Sequence, residues 1–93
     1  MPVFGYRPSR KSNILRPGQP VCVAVVYNVL AEFRPVAFGV ELNGMRYRYK
    51  ISRVNAYKDN YGAIIFDCEY NAFGCIIPVR LVFNVFQGLW LIG

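Results

Sequence analysis

The sequence predicts an all-β domain: a small antiparallel meander of five to six strands, a curled sheet or half-open barrel, with an irregular basic N-terminal arm. Three observations predict this fold class. Apolar and polar residues alternate with a period of two along the middle of the chain, glycine-containing turns separate these segments, and no long segment has the period of a helix. Hydrophobic residues make up 55% of the 93 residues, which is enough for one domain with a dense core.

Residues 1–20 are predicted to form the arm, and residues 21–93 the single β-domain. Proline cannot donate a hydrogen bond to a sheet, and the first segment contains Pro2, Pro8, Pro17 and Pro20. The same segment has no acid and carries the cations Arg7, Arg10, Lys11 and Arg16. We therefore expect an irregular basic segment in front of the sheet.

The first two strands are predicted from β-branched content and from alternation. Val21–Leu30 is rich in β-branched residues, which favour strands. Arg34–Leu42 alternates, so one of its faces is apolar and is predicted to point inward. The residues of this inward face are Val36, Phe38, Val40 and Leu42.

The third strand and its turn are the best-determined part of the sequence. Met45–Val54 alternates between apolar or aromatic residues and cations or serine, and Asn43-Gly44 favours the type I′ turn of a two-residue hairpin. A slip by one residue would expose both apolar rows to water, so the register is fixed. The predicted cross-strand pairs are Leu42 with Met45, Glu41 with Arg46, Val40 with Tyr47, and Phe38 with Tyr49.

The rest of the chain is predicted to continue the meander. Asn55–Gly62 is polar and turn-rich, and it is predicted to be a loop. Pro78 indicates that its strand lies at an edge or contains a bulge. The predicted elements after the loop are a strand at Ala63–Tyr70, a turn at residues 71–74, a strand at Cys75–Phe86, a turn at Gln87-Gly88 and a strand at Leu89–Ile92.

No set of residues points to catalysis. The chain has no histidine, which excludes histidine acid–base chemistry and most zinc sites. Its three cysteines, Cys22, Cys68 and Cys75, have neither the spacing of a metal cluster nor that of a disulfide framework. Cys68 is predicted to be a core residue. The sequence therefore predicts a protein that is not an enzyme and has no metal and no cofactor.

Two carboxylates allow two interpretations. Asp67 and Glu69 lie two residues apart on one strand face, so they could act as a general-acid pair. The alternative is that they face water and neutralise Arg48 and Lys50 across the sheet. The second interpretation is favoured because such pairs commonly face solvent.

The strand after the Asn-Gly turn suggests contact with nucleic acid. The cations Arg46, Arg48 and Lys50 share one strand face, where they could neutralise phosphates together with Arg7, Arg10 and Lys11 of the arm. Tyr47 and Tyr49 lie on the opposite face and are predicted to be core residues. The alternative is that the cations form an ordinary solvated face.

The C-terminal hairpin is apolar on both faces, which an antiparallel hairpin with one wet face should not be. One hypothesis is a homodimer interface formed by Leu81, Phe83, Val85, Phe86, Leu89, Trp90 and Ile92. The alternatives are that the arm covers this hairpin, or that a curled barrel buries both of its faces. A further hypothesis is a small-ligand site in the barrel mouth, lined by Tyr47, Tyr49, Phe66 and Trp90.

The sequence predicts a cytoplasmic protein with no membrane partner. No apolar run approaches the ~20 residues of a membrane-spanning helix. The N-terminus lacks the apolar core and the cleavage site of a secretory signal. An odd number of cysteines is not typical of a secreted disulfide scaffold.

The segment from Phe33 onward resembles a family of short bacterial β-domain proteins of unknown function. The family pattern runs Arg-Pro-x-x-Phe, x-Gly-x-x-Tyr-x-(Ile/Val), a variable loop, two aliphatic–aromatic strands and a terminal Trp-x-(Leu/Val). The matching residues are Arg34, Pro35, Phe38, Gly44, Tyr47, Tyr49, Ile51, Val54, Phe66, Cys68, Leu81, Phe83, Trp90 and Ile92. The chain departs from the pattern at Glu41-Leu42, where family members often have a tryptophan.

The resemblance implies a nucleic-acid context, since some family members are encoded beside lesion-bypass DNA polymerase components. It implies no catalytic residue. The sequence therefore predicts a non-catalytic binding module that contacts nucleic acid, or a nucleic-acid-processing protein, through a basic strand. The alternative function is a structural or adaptor domain that dimerises through the C-terminal hairpin.

Overall fold

The chain forms six strands in the computed structural model, which describes residues 15–93. Each strand pairs antiparallel with the next, and β6 pairs with β1, so the sheet closes into a barrel. This confirms the predicted all-β antiparallel fold. The strands are β1 (Pro20–Tyr27), β2 (Phe33–Leu42), β3 (Met45–Asn60), β4 (Ala63–Ala72), β5 (Cys75–Asn84) and β6 (Leu89–Ile92). Within the described residues, no helix is long and apolar enough to cross a membrane.

The turns alternate between the two ends of the barrel. The upper end carries the β1–β2, β3–β4 and β5–β6 connections, and the lower end carries the β2–β3 and β4–β5 turns. The predicted arm lies outside the described residues as far as residue 14. Its last residues join the barrel, because Gly18 N donates to Ile92 O at 2.7 Å and Ile92 N donates to Gln19 O at 2.9 Å.

The β2–β3 hairpin has the register that the sequence predicts. Asn43 and Gly44 have φ values of 52° and 78°, as a type I′ turn requires. All of the predicted pairs, from Leu42 with Met45 at the turn to Phe38 with Tyr49, are formed. Local turn chemistry and alternation therefore determine this hairpin together.

Strand β3 is longer than the sequence predicts. The predicted loop at Asn55–Gly62 is wrong, because β3 continues through Asn60 and only Tyr61 and Gly62 form the turn. The register against β4 shifts between Ile51 and Arg53 and again between Val54 and Ala56. These two bulges break the period of two, so the sequence no longer looks like a strand there.

Strand β2 also differs from the prediction at one inward position. Ala24 pairs with Ala37, but the next pair is Val25 with Pro35, so Val36 is the extra residue of a bulge. As a result, the side chain of Pro35 is fully buried, whereas that of Val36 is only half-buried. The prediction that Val36 belongs to the inward row is therefore wrong.

The interior of the barrel is filled with side chains. Leu81, Phe38 and Cys68 are 0–2% exposed, and half-buried residues from all six strands pack around the buried set. At the lower end, Phe38, Tyr49 and Tyr70 form a triangle of rings with centroids 4.8–5.4 Å apart. The buried core is Phe38, Val40, Phe66, Cys68, Tyr70, Val79, Leu81 and Ile92.

Pro78 lies at a sheet edge, as the sequence predicts. Strand β5 pairs with β6 only through Leu81–Asn84, whereas Pro78 pairs only with Glu69 of β4 among the described residues. The missing N–H of the proline is therefore not needed by a neighbouring strand.

Alkaline pH is expected to destabilise the barrel through Cys68. Burial, and to a smaller extent the charge of Asp67, raises the pKa of the Cys68 thiol from its usual 9.0 to about 11. The folded state therefore holds the thiol proton more tightly than the unfolded state does. This contribution to stability is complete below pH 9.0 and is lost as the pH rises through about 11. Burial also raises the pKa of Tyr49 and of Tyr70, which extends the loss to higher pH.

Urea unfolding measured from neutral to alkaline pH checks this prediction. The variant Cys68→Ala is expected to be less stable at neutral pH but to lose less stability as the pH rises. Cys22→Ser, which changes an exposed thiol, is expected to decline with pH as the unmodified protein does. Equal declines in all three proteins would contradict the assignment to Cys68.

Candidate nucleic-acid interface

Three cations form a regular row on the outer face of the first half of β3. Arg46, Arg48 and Lys50 are all exposed, and they alternate with Tyr47 and Tyr49. We call these three residues the basic row. Alternate residues of a strand lie about 6.6 Å apart on one face. Tyr49 packs against the core as the sequence predicts, but the prediction for Tyr47 is wrong, because Tyr47 lies at the lower end of the barrel and is 38% exposed.

Small residues lie beside the basic row on the outer face. Gly39 of β2 is directly opposite Arg48, and Ala37 is directly opposite Lys50. On the next strand, Cys22 pairs with Gly39 and Ala24 pairs with Ala37. We call Cys22, Ala24, Ala37 and Gly39 the small-residue floor.

A groove follows the small-residue floor and the first two cations of the basic row, Arg46 and Arg48, and Lys50 lies beyond its lining. The groove has a volume of about 790 Å³ and runs over β1, β2 and the start of β3. A Cβ atom at Gly39 would lie 3.8 Å from Arg48 Cγ, so the aliphatic stem of this arginine lies beside the glycine. Glu41, opposite Arg46, is the acid on this wall.

The acids of β4 do not neutralise the basic row, so the predicted interaction of Asp67 and Glu69 with Arg48 and Lys50 is wrong. Arg80 Nε donates to Asp67 Oδ1 at 2.7 Å, and Asn55 Nδ2 donates to Glu69 Oε2 at 3.0 Å.

The register explains why these acids are out of reach. Tyr70 of β4 pairs with Ile51, and the β3–β4 pairs run from there toward the upper end, so β4 has no partner in residues 45–50 of β3. Within residues 15–93, the ion pair between Arg80 and Asp67 is the only one shorter than 4.0 Å. The basic row therefore faces solvent with no ion pair among the described residues, and Glu41, opposite Arg46, is the one acid that pairs across the strands with it.

The second half of β3 adds two cations that the sequence interpretation did not assign to the site. Arg53 and Lys58 are exposed and pair with Glu69 and Ile65 of β4, whose side chains lie on the outer face. Strict alternation in the predicted strand Met45–Val54 places Arg53 on the inward face, and the bulge between Ile51 and Arg53 moves it to the outer face. Lys58 lies in the segment that was predicted to be a loop. The apolar pair Val54 and Tyr57, spaced by an extra residue, was the signal for a bulged strand.

Comparison with protein families, with curated proteins and with solved structures gives no match. The resemblance to the bacterial β-domain family therefore stays a prediction, as does the nucleic-acid context that it implies.

The remaining predicted cations and cysteines fall in different places. Arg7, Arg10 and Lys11 lie outside the described residues. Cys22 is exposed in the small-residue floor, Cys68 is buried as the sequence predicts, and Cys75 is exposed after the β4–β5 turn. Within residues 15–93, no three histidine, cysteine or acidic side chains come together as a metal site.

The residues predicted to form a dimer interface divide into three groups. Leu81 and Ile92 are 0% and 5% exposed and belong to the core, so a partner cannot reach them. Phe83 and Trp90 are half-buried, with ring centroids 5.1 Å apart. Val85, Phe86 and Leu89 are exposed at the upper end. Closure of the barrel accounts for much of the apolar character of this hairpin, and the homodimer hypothesis stays a prediction.

The four residues proposed to line a small-ligand site do not lie together. Phe66 and Trp90 contact each other at a centroid distance of 5.7 Å beneath the upper end. Tyr47 and Tyr49 lie near the lower end, where Tyr49 contacts Phe38. The two pairs lie toward opposite ends of a filled core, in which Phe38 and Phe66 are 2% and 3% exposed, so the structure brings no such ligand site together.

Proposed function

We propose that this protein is a non-catalytic binding module that contacts nucleic acid through the outer face of β3. One observation carries the proposal. The basic row is exposed and regularly spaced, and among residues 15–93 none of its three cations forms an ion pair within 4.0 Å, although Glu41 lies opposite Arg46. A solvated structural face would more often intersperse its cations with acids in ion pairs, as Arg80 and Asp67 do on the neighbouring strands.

The spacing of the basic row suits a polyanion. Cations about 6.6 Å apart along one strand face are comparable in spacing to the successive phosphates of an extended nucleic-acid strand. Two of the three are arginines, whose planar guanidinium groups can donate two parallel hydrogen bonds to one phosphate. An extended chain that follows β3 can therefore meet each cation in turn.

The small-residue floor supports the same proposal by its shape. Gly39 and Ala37 have no side chain that rises above the sheet between β1 and the basic row. A sugar–phosphate backbone can approach the sheet closely there, beside the side chains of Arg46 and Arg48. The groove thus has one low side and one positively charged side.

The charge of the whole chain favours an anionic partner. The chain has 11 cations and 5 acids, a formal net charge of +6. A positive field of this kind raises the rate of encounter with polyanions, and its effect falls with ionic strength. Arg7, Arg10 and Lys11 precede the described residues and add to this field.

Salt-dependent binding tests the proposed function. The expected result is that a fluorescently labelled oligonucleotide binds with an affinity that falls as salt rises, with a log–log slope of about −2 for three phosphate contacts on a single strand. An oligonucleotide analogue of the same sequence with an uncharged backbone is the matched control and is expected not to bind. Binding that is insensitive to salt, equal binding of the uncharged analogue, or no binding of either would overturn the proposal.

A further inference from the structure

Aromatic residues crowd the upper end of the barrel. Phe33, at the start of β2, contacts Phe66, Phe83 and Trp90 at centroid distances of 5.9–6.3 Å. Exposed rings continue this cluster to the surface at Tyr27, Tyr57, Tyr61 and Phe86, which are 66–94% exposed. We call these exposed rings and the rings beneath them the aromatic mouth.

Tyr57 offers a ring with one supported side and one side in solvent. It stacks on Phe66 with an interplanar angle of 25° and a centroid distance of 5.9 Å, and Phe66 is 3% exposed. Tyr57 is nevertheless 69% exposed. The reason is that β2 pairs with β3 no further up than Ala37 and Lys50, so no strand covers this side of Tyr57.

Tyr61 is held at the lip of the mouth by a second ring. It is 94% exposed in the β3–β4 turn and meets Phe86 nearly edge to face, with centroids 5.9 Å apart. Phe86 in turn lies over Gly62, where a Cβ atom would come within 2.5 Å of the ring. The φ of Gly62 is +77°, so both the turn and the position of Phe86 require glycine here.

The aromatic mouth and the basic row lie on the same strand. Tyr57 lies seven positions after Lys50, which is about 20 Å along β3 and therefore several nucleotides. Arg53 lies between them, and Lys58 is the next residue after Tyr57. Exposed cations therefore continue along the outer face of β3 to the upper end, where the ring of Tyr57, on the inward side of the strand beside Phe66, is open to solvent.

We infer that the nucleic acid bound by this protein is single-stranded and that its bases stack on Tyr57 and Tyr61. This inference rests on the proposed function. The bases of a duplex are paired and stacked on one another, so only a single strand can offer both its phosphates to the basic row and its base faces to tyrosine rings. A second copy of the chain fits this surface less well, because it would bring two chains of net charge +6 together.

Three ligands distinguish phosphate contact from base stacking: oligothymidylate, a duplex of equal length and an abasic strand of equal length. Titrations of each by fluorescence anisotropy are expected to show tightest binding of oligothymidylate. The double variant Tyr57→Leu, Tyr61→Leu is expected to bind oligothymidylate on the order of 100-fold more weakly, with its salt slope unchanged, since stacking on an aromatic ring is worth about tenfold per base and two rings are removed. The same variant should bind the abasic strand as the unmodified protein does.

Phe73→Leu is the matched control, since Phe73 is also an exposed ring, at 58%, but in the turn at the lower end. It is expected to leave binding of oligothymidylate unchanged.

If the double variant binds oligothymidylate normally while the salt slope persists, the inference is wrong and the proposed function stands. If the unmodified protein binds no nucleic acid at all, the proposed function itself fails. A double variant that sediments as a smaller species without a change in binding would identify the aromatic mouth as a contact with a second copy, which also overturns the inference.

Discussion

Leu81→Ala is expected to lower the free energy of unfolding by about 2–5 kcal/mol, which is much of the stability of a domain of this size. Leu81 is 0% exposed and lies on β5 between Phe66 of β4 and Ile92 of β6. Strands hold it on both sides, so the surrounding backbone cannot collapse into the space that the side chain leaves. The loss therefore includes two contributions: the hydrophobic free energy that burial of the removed carbon atoms supplied, and the cost of the cavity that they leave.

The fluorescence of Trp90, the only tryptophan in the sequence, is the probe for this measurement. Its ring contacts Phe66 and Phe83 in the barrel, so urea unfolding is expected to change its emission. Leu89→Ala is the matched control, because Leu89 is 50% exposed next to Trp90. It should cost less than about 1 kcal/mol. Similar losses in the two variants would contradict the assignment of Leu81 to the core.

The parts of the fold that the sequence predicts correctly are those determined by neighbouring residues. The pairing of Phe38 with Tyr49 follows from the Asn43-Gly44 turn and from alternation within each strand, and both lie within a few residues. The bulge at Val36 and the extension of β3 through Asn60 were missed. A bulge bends its strand and increases the local twist, and its position depends on how the strand pairs with its neighbours rather than on the alternation within the strand.

The sequence predicts the candidate site only where its geometry follows from neighbouring residues. The outward direction of Arg46, Arg48 and Lys50 follows from local alternation. Their freedom from the β4 acids depends on the displaced β3–β4 register, in which Tyr70 pairs with Ile51. The small-residue floor requires β1 to lie beside β2 in a given register, and the exposure of Tyr57 requires β2 to separate from β3. These registers and this separation depend on how whole strands pair with one another in the barrel, so they cannot be derived from the alternation within one strand.

Removing the basic row is expected to abolish most of the binding. In the triple variant Arg46→Gln, Arg48→Gln, Lys50→Gln, three phosphate contacts are lost, each worth about 0.7 in the log–log salt slope on a single strand. Binding of the labelled oligonucleotide at about 0.1 M salt should therefore weaken on the order of 100-fold, and the slope should become shallower by about 2. All three side chains are exposed and none is in an ion pair among the described residues, so the variant should unfold at a urea concentration close to that of the unmodified protein.

A control variant with the same change in net charge distinguishes direct contact of the nucleic acid with β3 from attraction by the net charge of the chain. Arg16→Gln, Arg34→Gln, Arg80→Gln also removes three exposed cations, but none of them belongs to β3. General attraction by the net charge of the chain would weaken binding equally in the two variants, whereas contact along β3 predicts a large change in slope for the basic row alone. The ion pair of Arg80 with Asp67 has partners 57% and 47% exposed, and such surface pairs contribute little to the stability of a fold. The control should therefore stay folded, and equal slopes in the two variants would show that the outer face of β3 is not the contact surface.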